Sequence, residues 1–182
     1  MHGKIKLAVI YGSVREGRFC DTVGGWVVEQ VRTSEEFDLD VIDPLDESAK
    51  GESLRRRIGE ADAFIVVTPE YNHSYPAALK GLIDAVNAEW QAKPVAFVSY
   101  GGASGGLRAV EHLRTVFAEL HAVGTRDGVS FPNVWEHFDA QGDLKHPARA
   151  QRGMTVLLAR LGWWAQALRE ARTHRSYSEV VA

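Results

Sequence analysis

Two glycines five residues apart, Gly12 and Gly17, enclose Ser13 and Arg15 and are followed by Arg18, Phe19 and Cys20. The spacing is that of a nucleotide-triphosphate loop, G-x-x-x-x-G-K-[ST]. Arg18 stands where the lysine would, and Phe19 where a hydroxyl would hold magnesium. Gly12 lets the chain turn sharply, and Gly17 lets backbone amides approach an anion without a side chain in the way. Ser13 offers a hydroxyl; Arg15 and Arg18 offer forked, permanently charged donors. With no Ser or Thr after Arg18, and no acid closing the third apolar run, a metal-bound triphosphate is poorly served. The set suits a phosphate monoester bound without a metal. An ordinary strand-to-helix turn with solvated arginines accounts for the same residues.

Two more stretches carry residues of this kind. Pro69-Glu70-Tyr71-Asn72 opens PEYNHSYP. A flat heterocycle needs backbone donors along its edge and an aromatic wall, and this segment has the composition for both. A polar connection whose Tyr71 covers the sheet end is the plainer account. Ser99-Tyr100-Gly101-Gly102 opens SYGGASGG, with glycines at 101, 102, 105 and 106. Such a loop lets a ring lie against the backbone and leaves room for a second one. A flexible linker is hard to square with so short a connection.

These loops need elements to hold them. Lys4 to Tyr11, Ala63 to Thr68 and Pro94 to Tyr100 are apolar on both faces, as buried strands are, whereas Phe37 to Ile42 (FDLDVI) alternates as an edge strand does. Helical patterns cover Phe19 to Arg32, Ser53 to Ala61, Pro76 to Trp90, Leu107 to Leu120 and Pro147 to Thr173. In the fourth of them Leu107, Val110, Leu113, Phe117 and Leu120 share one face. Alternating strands and helices argue for a three-layer α/β sandwich around a five-stranded parallel sheet, order 2-1-3-4-5, with its fifth strand somewhere in Val123 to Phe131. The three loops then leave the first, third and fourth strands at one rim, where such sheets bind ligands.

The chain has 182 residues, 45% of them hydrophobic, which predicts one domain over 1–182. A net charge of -3 gives no reason to expect nucleic acid or a membrane surface as partner. The apolar runs are too short to span a bilayer, and the N-terminal MHGKIKLAVIYGS has no small-residue cleavage pattern. One cysteine fits a reducing cytoplasm, and scattered histidines argue against zinc or iron. Trp163-Trp164 reads as core or interface, and Arg169, Arg172 and Arg175 as a solvated helix face.

GSxRxGR, PEYN and SYGG, in this order and spacing over about the first 140 residues, together resemble the NADPH-dependent FMN reductase family. That family has a flavodoxin-like fold and includes soluble quinone, azo-dye and chromate reductases. The resemblance implies a homodimer or dimer of dimers paired through the helices at 76–90 and 107–120. It also implies that Ser13, Arg15, Arg18, Phe19 and Cys20 surround an FMN phosphate. Pro69, Glu70, Tyr71 and Asn72 would then run along the isoalloxazine ring, with Ser99, Tyr100, Gly101 and Gly102 on its other side. Cys20 departs from the Ser or Asn often found there, and a thiol is a weaker donor. No catalytic side chain is required, because hydride passes from NADPH or NADH to the cofactor and on to a small-molecule acceptor: a quinone, azo compound, metal oxyanion or free flavin. His73 reads as positional rather than as a proton donor. Arg108 reads either as a dinucleotide-phosphate ligand or as a helix residue pairing near Glu111 and His112. A flavodoxin-type electron carrier and a flavin-binding regulatory module are the competing classes. A carrier would normally show a hydroxyl-rich phosphate loop and strong acidity, which this chain lacks.

Overall fold

The computed structural model describes residues 3–180. Residues 1, 2, 181 and 182, over which the single-domain expectation also extends, lie outside them. Five strands, β1 (Ile5–Tyr11), β2 (Phe37–Ile42), β3 (Ala63–Pro69), β4 (Pro94–Tyr100) and β5 (Val123–Phe131), pair in parallel in the order β2-β1-β3-β4-β5. The intervening helices are α1 (Cys20–Arg32), α2 (Gly51–Glu60), α3 (Ala77–Asp84), α4 (Leu107–Glu119) and α5 (Pro147–His174).

The doubly apolar strands are buried because both sheet faces are covered. Leu7, Val9, Ile65, Val67, Ala96 and Val98 pack under α1 and α5, while Ala8, Ile10, Phe64, Val66, Val95 and Phe97 pack under α2, α3 and α4. β2 and β5 are the edges, and both expose side chains along their length.

Three expectations change here. The helix foreseen over 76–90 ends at Asp84 and resumes only as a short turn at Ala88–Trp90, because Asn87 leaves helical geometry (φ -133°). Trp90 is instead drawn into the core, its indole donating to the Ile83 carbonyl at 3.1 Å. Leu107, the first residue of α4, stays 56% exposed instead of joining the packed face. Arg169 and Arg172 are not solvated: they turn inward onto Asp62, each at 3.2 Å.

Candidate active site

β1, β3 and β4 end side by side, so their three loops meet at one rim of the sheet. Gly12 is held by close approach. Its amide donates to the Val67 carbonyl at 2.8 Å, and a Cβ there would sit 2.7 Å from that oxygen. From this pivot the chain runs to α1. Arg15 N donates to Ser13 Oγ and Arg18 N to the Arg15 carbonyl, and the Ser13 amide is directed at the Cys20 sulfur, while Val14, Glu16 and Gly17 give their amides to no acceptor among the described residues. Unused N–H groups ahead of a helix N-terminus form an anion-binding concavity. The cradle thus fits a phosphate on its backbone alone.

The side chains of the loop divide the work differently from what the sequence suggests. Ser13 is buried and shares a hydrogen bond of 2.7 Å with the Tyr71 hydroxyl. Arg15 is exposed, its guanidinium 3.5 Å from the centre of the Tyr71 ring. Arg18, by contrast, is enclosed. It chelates both oxygens of Asp43 and also donates to Asp21 and to the Ser13 carbonyl. Hydrogen bonding to Asp43 raises its pKa further. At Asp43, burial pulls the carboxyl upward, but bonds from Arg18 and from the Leu45 amide outweigh it and hold the group below its ordinary range. The structure therefore makes Arg18 a bracket between the β1–α1 loop and the end of β2 rather than a free charge facing the rim.

Cys20 also points away. Its thiol is fully buried, lies 3.8 Å from the Val67 carbonyl, and is pushed up in pKa by burial. Phe19 closes over Tyr100 and Phe138, with ring centres 6.5 and 5.9 Å apart. The Tyr100 hydroxyl is likewise driven up in pKa by burial.

The second loop is a tight turn. Tyr71 and Ser74 exchange backbone bonds of 2.8 and 3.1 Å around Asn72 and His73, whose φ angles of 51° and 69° are both left-handed. Those two amides take no acceptor among the described residues, whereas Tyr71 N goes to Ser74 and Glu70 N to the Tyr100 carbonyl. The Glu70 side chain is turned to partners of its own. Its carboxylate is buried and accepts from Ser104 Oγ (2.7 Å), the Arg108 amide (3.1 Å) and the Arg108 guanidinium (2.7 Å). Burial opposes ionisation, yet those bonds win and the pKa is lowered. Arg108 thus has a partner that neither sequence reading named. His73 sits exposed at the turn tip.

In the third loop the glycines fall into two pairs. Gly105 and Gly106 are buried with φ of 61° and 83°, and a Cβ on Gly106 would meet Ser99 Cβ at 2.8 Å and Tyr100 N at 2.9 Å. Ser99 is occupied in the same knot, donating to the Gly105 carbonyl at 2.8 Å. Only Gly101 and Gly102 leave space. The nearest atom to a Cβ on Gly102 would be the Trp135 ring, 4.0 Å away. The amides of Gly102, Ala103 and Ser104 take no acceptor among the described residues.

Trp135, 58% exposed, escaped the sequence reading. It is placed by Asn133 N and Val134 N, which donate to the Gly102 and Gly101 carbonyls at 2.9 and 3.0 Å. Its signal was an aromatic just beyond a weak fifth strand, and polar TRDG obscured that strand's end. Asp43 was missed for a similar reason, since an acid after an edge strand has no motif of its own.

Among the described residues no cluster of acids, His and Cys is suited to a metal, and no helix is long and apolar enough to cross a membrane. The sequence pattern of NADPH-dependent FMN reductases matches residues 5–136, which contain all three loops. The chain belongs to that family. It is 34% identical over 179 residues to an NAD(P)H:quinone oxidoreductase of Solanum tuberosum, covering 85% of this chain and 90% of that one. It is also 38% identical over 120 residues to an NAD(P)H-dependent FMN reductase of Schizosaccharomyces pombe, covering 56% of this chain and 60% of the yeast protein's length. In structure it is similar to FerB, a flavoenzyme NAD(P)H:(acceptor) oxidoreductase of Paracoccus denitrificans. That match has a TM-score of 0.70 at 23% identity and covers 90% of this chain and 98% of FerB, a likeness of fold. At this chain's rim Cys20 is turned inward and Arg18 is locked to Asp43.

Proposed function

We propose that this protein is an FMN-containing NAD(P)H oxidoreductase that passes reducing equivalents to small acceptors, quinones first among them. The observation that carries the reading is the convergence of unused backbone amides from three loops at one rim. They lie around a loop fitted to a phosphate, with Tyr71 and Trp135 as aromatic borders. Bound there, FMN would supply the hydride chemistry, and the chain supplies placement. The amides of Val14, Glu16 and Gly17 would hold the phosphate, with Arg15 as the exposed charge beside it. Asn72, His73, Gly102, Ala103 and Ser104 point amide donors at the rim, suited to the edge of a flat heterocycle. Gly101 and Gly102 keep the outer face low, so that a nicotinamide and then an acceptor have room to stack. Azo compounds, metal oxyanions and free flavin belong to the same acceptor class. A single, buried thiol is compatible with a reducing cytoplasm.

The test is the visible spectrum of the purified protein before and after anaerobic NADPH. A flavin spectrum that bleaches rapidly, with sustained turnover once a quinone is added, is the expected result. A flavin that stays yellow under excess NADPH and NADH but accepts electrons from a protein donor would establish a carrier instead. Bound flavin with no turnover at all would establish a regulatory module.

A further inference from the structure

We propose that Trp135 selects the electron acceptor: its indole is a wall for a flat aromatic acceptor, a two-ring quinone above all, in preference to a compact inorganic anion. The inference rests on the reading of the rim as a flavin site and names the acceptor class of that site. It starts from a turn that has no need of a tryptophan. After β5, Asn133 N and Val134 N donate to the Gly102 and Gly101 carbonyls, and Gly101 N donates back to the Phe131 carbonyl at 3.2 Å. Glu136 N and His137 N close the turn onto the Asn133 and Val134 carbonyls at 2.8 and 3.1 Å. Val134 and Phe138 are both buried, and the Phe138 ring lies 5.3 Å from that of Phe131 and 5.9 Å from that of Phe19. Backbone bonds and two buried side chains thus hold the segment. Trp135, between those two in sequence, leaves its side chain exposed.

The indole borders the open space over the third loop. It is 4.0 Å from where a Cβ on Gly102 would lie, and beyond Gly102's chain neighbours no other described residue comes within that distance. The turn's bonds tie the tryptophan's backbone to the two glycines that leave the space open, so wall and opening form one unit. A single exposed apolar residue needs no account, but an indole bordering a candidate ligand site does. Its occupant follows from what each reactant brings. A dinucleotide carries a diphosphate and an adenosine remote from its reacting ring, and can draw its binding from them. A quinone has only its rings and two carbonyl oxygens, so its hold depends on the apolar and aromatic surface it meets. A compact anion such as ferricyanide has no face to stack, and the electron-rich face of an indole offers it nothing. The wall therefore adds binding for the flat acceptor alone.

Kinetics of the flavin-loaded protein with menadione and with ferricyanide test this, in the wild type, Trp135→Ala and Trp135→Phe. Trp135→Ala is expected to lower the ratio of kcat/KM for menadione to that for ferricyanide by about tenfold. The loss should fall on KM rather than kcat, because a wall holds ground and transition states alike. Trp135→Phe should recover most of the ratio. Anaerobic bleaching by NADPH should slow by no more than about twofold, since the dinucleotide has its other contacts. An unchanged or raised ratio in Trp135→Ala, no recovery in Trp135→Phe, or bleaching slowed as much as menadione turnover would overturn the proposal. Loss of bound flavin in Trp135→Ala would place the indole on the cofactor instead and overturn it as well. Failure of the underlying reading looks different. It is a wild type that holds no flavin, or whose flavin NADPH does not bleach, and the proposal then falls with it.

Discussion

At the end of the sheet where the strands begin, Asp62 receives Arg169 and Arg172 at 3.2 Å each and the Lys6 amide at 3.1 Å. At the other end, Asp43 receives Arg18 through both oxygens. The chemistry is the same, an enclosed carboxylate and a guanidinium, but the surroundings differ. Around Asp62 the cations are also spent on backbone carbonyls. Arg169 caps Gly3 and Lys4, Arg172 caps Ala92, and Lys93 caps Ile58 and Gly59 at the end of α2. Around Asp43 the arginine fixes a loop in which the amides of Val14, Glu16 and Gly17 take no acceptor among the described residues. One end is closed for stability, and the other is braced so that it can stay open.

If that contrast is right, Asp62→Ala should have the largest effect on the fold and almost none on the rim. Removing one partner of an enclosed ion pair leaves uncompensated charge, here two arginines, at a cost of about 3–5 kcal/mol. For a chain of this size that corresponds to a fall in Tm of about 6–20 °C. Thermal melts read the loss, and flavin titration of the folded protein should stay within twofold of wild type. A parallel fall in flavin affinity would show that the two ends are not independent.

Lys93 sharpens the same contrast through pH. Burial and the nearby Arg172 push its pKa down to about 8, below its value in an unfolded chain. The folded state therefore binds fewer protons than the unfolded one between about pH 8 and the ordinary lysine value near 10.4. The charged amine is a penalty fully present below pH 8 and relieved as pH rises through that window. The size is about 3 kcal/mol at most by the usual conversion. Stability measured by urea should climb with pH in wild type relative to Lys93→Met. If the two curves run parallel, the amine is as well solvated as an exposed lysine.

How much of this was legible follows from what a sequence pattern can carry. The strand order, the rim and the three loops came from apolar runs and glycine spacing, which report burial and turning directly. Even the boundaries of Phe37–Ile42 and Pro94–Tyr100 match. The direction in which each loop side chain points did not come through. Arg18, Glu70 and Ser99 sit inside motifs that read as ligand contacts, yet Arg18 and Glu70 are consumed by partners distant in sequence, Asp43 and Arg108, and Ser99 by the Gly105 carbonyl of its own loop. Such partners are set by tertiary geometry, and nothing periodic announces them. Arg169 and Arg172 were misread because a helix face with three arginines looks solvated until the strand ends beneath it are placed.

The bracket at the open end predicts a mid-sized effect with an informative sign. Asp43→Asn breaks the chelate but leaves Arg18 in the loop. If Arg18 acts by holding the cradle in shape, Asp43→Asn and Arg18→Ala should each weaken FMN by about 1–3 kcal/mol, and the double variant should lose no more than either. Riboflavin, which lacks the phosphate, should be nearly unaffected. Were Arg18 a direct phosphate ligand, freeing it by Asp43→Asn would tighten FMN. Acid should mimic the substitution. Asp43 and Glu70 both have lowered pKa values, so their contribution is complete above the ordinary carboxylate range near 4 and is lost as pH falls through their folded values.

The smallest effect on stability, and the most specific on activity, belongs to Gly102. The third loop contains its own version of the comparison. Gly106 is fixed by a φ of 83° and by Tyr100 N lying 2.9 Å from where a Cβ would be, so Gly106→Ala should destabilise the fold by about 1–3 kcal/mol. Gly102 has no such constraint, and a side chain there would extend into the open space beside Trp135. Gly102→Leu should therefore leave Tm within about 0.5 kcal/mol of wild type in free-energy terms. A leucine in that space excludes a planar ring from the outer face, where a hydride donor must come within about 3–3.5 Å of its acceptor. Stopped-flow reduction by NADPH should slow by at least an order of magnitude, while reduction by dithionite, which needs no stacked ring, changes little. Equal slowing by both reductants would mean that the leucine displaced the flavin itself. Unchanged rates with both would move the nicotinamide away from Gly102.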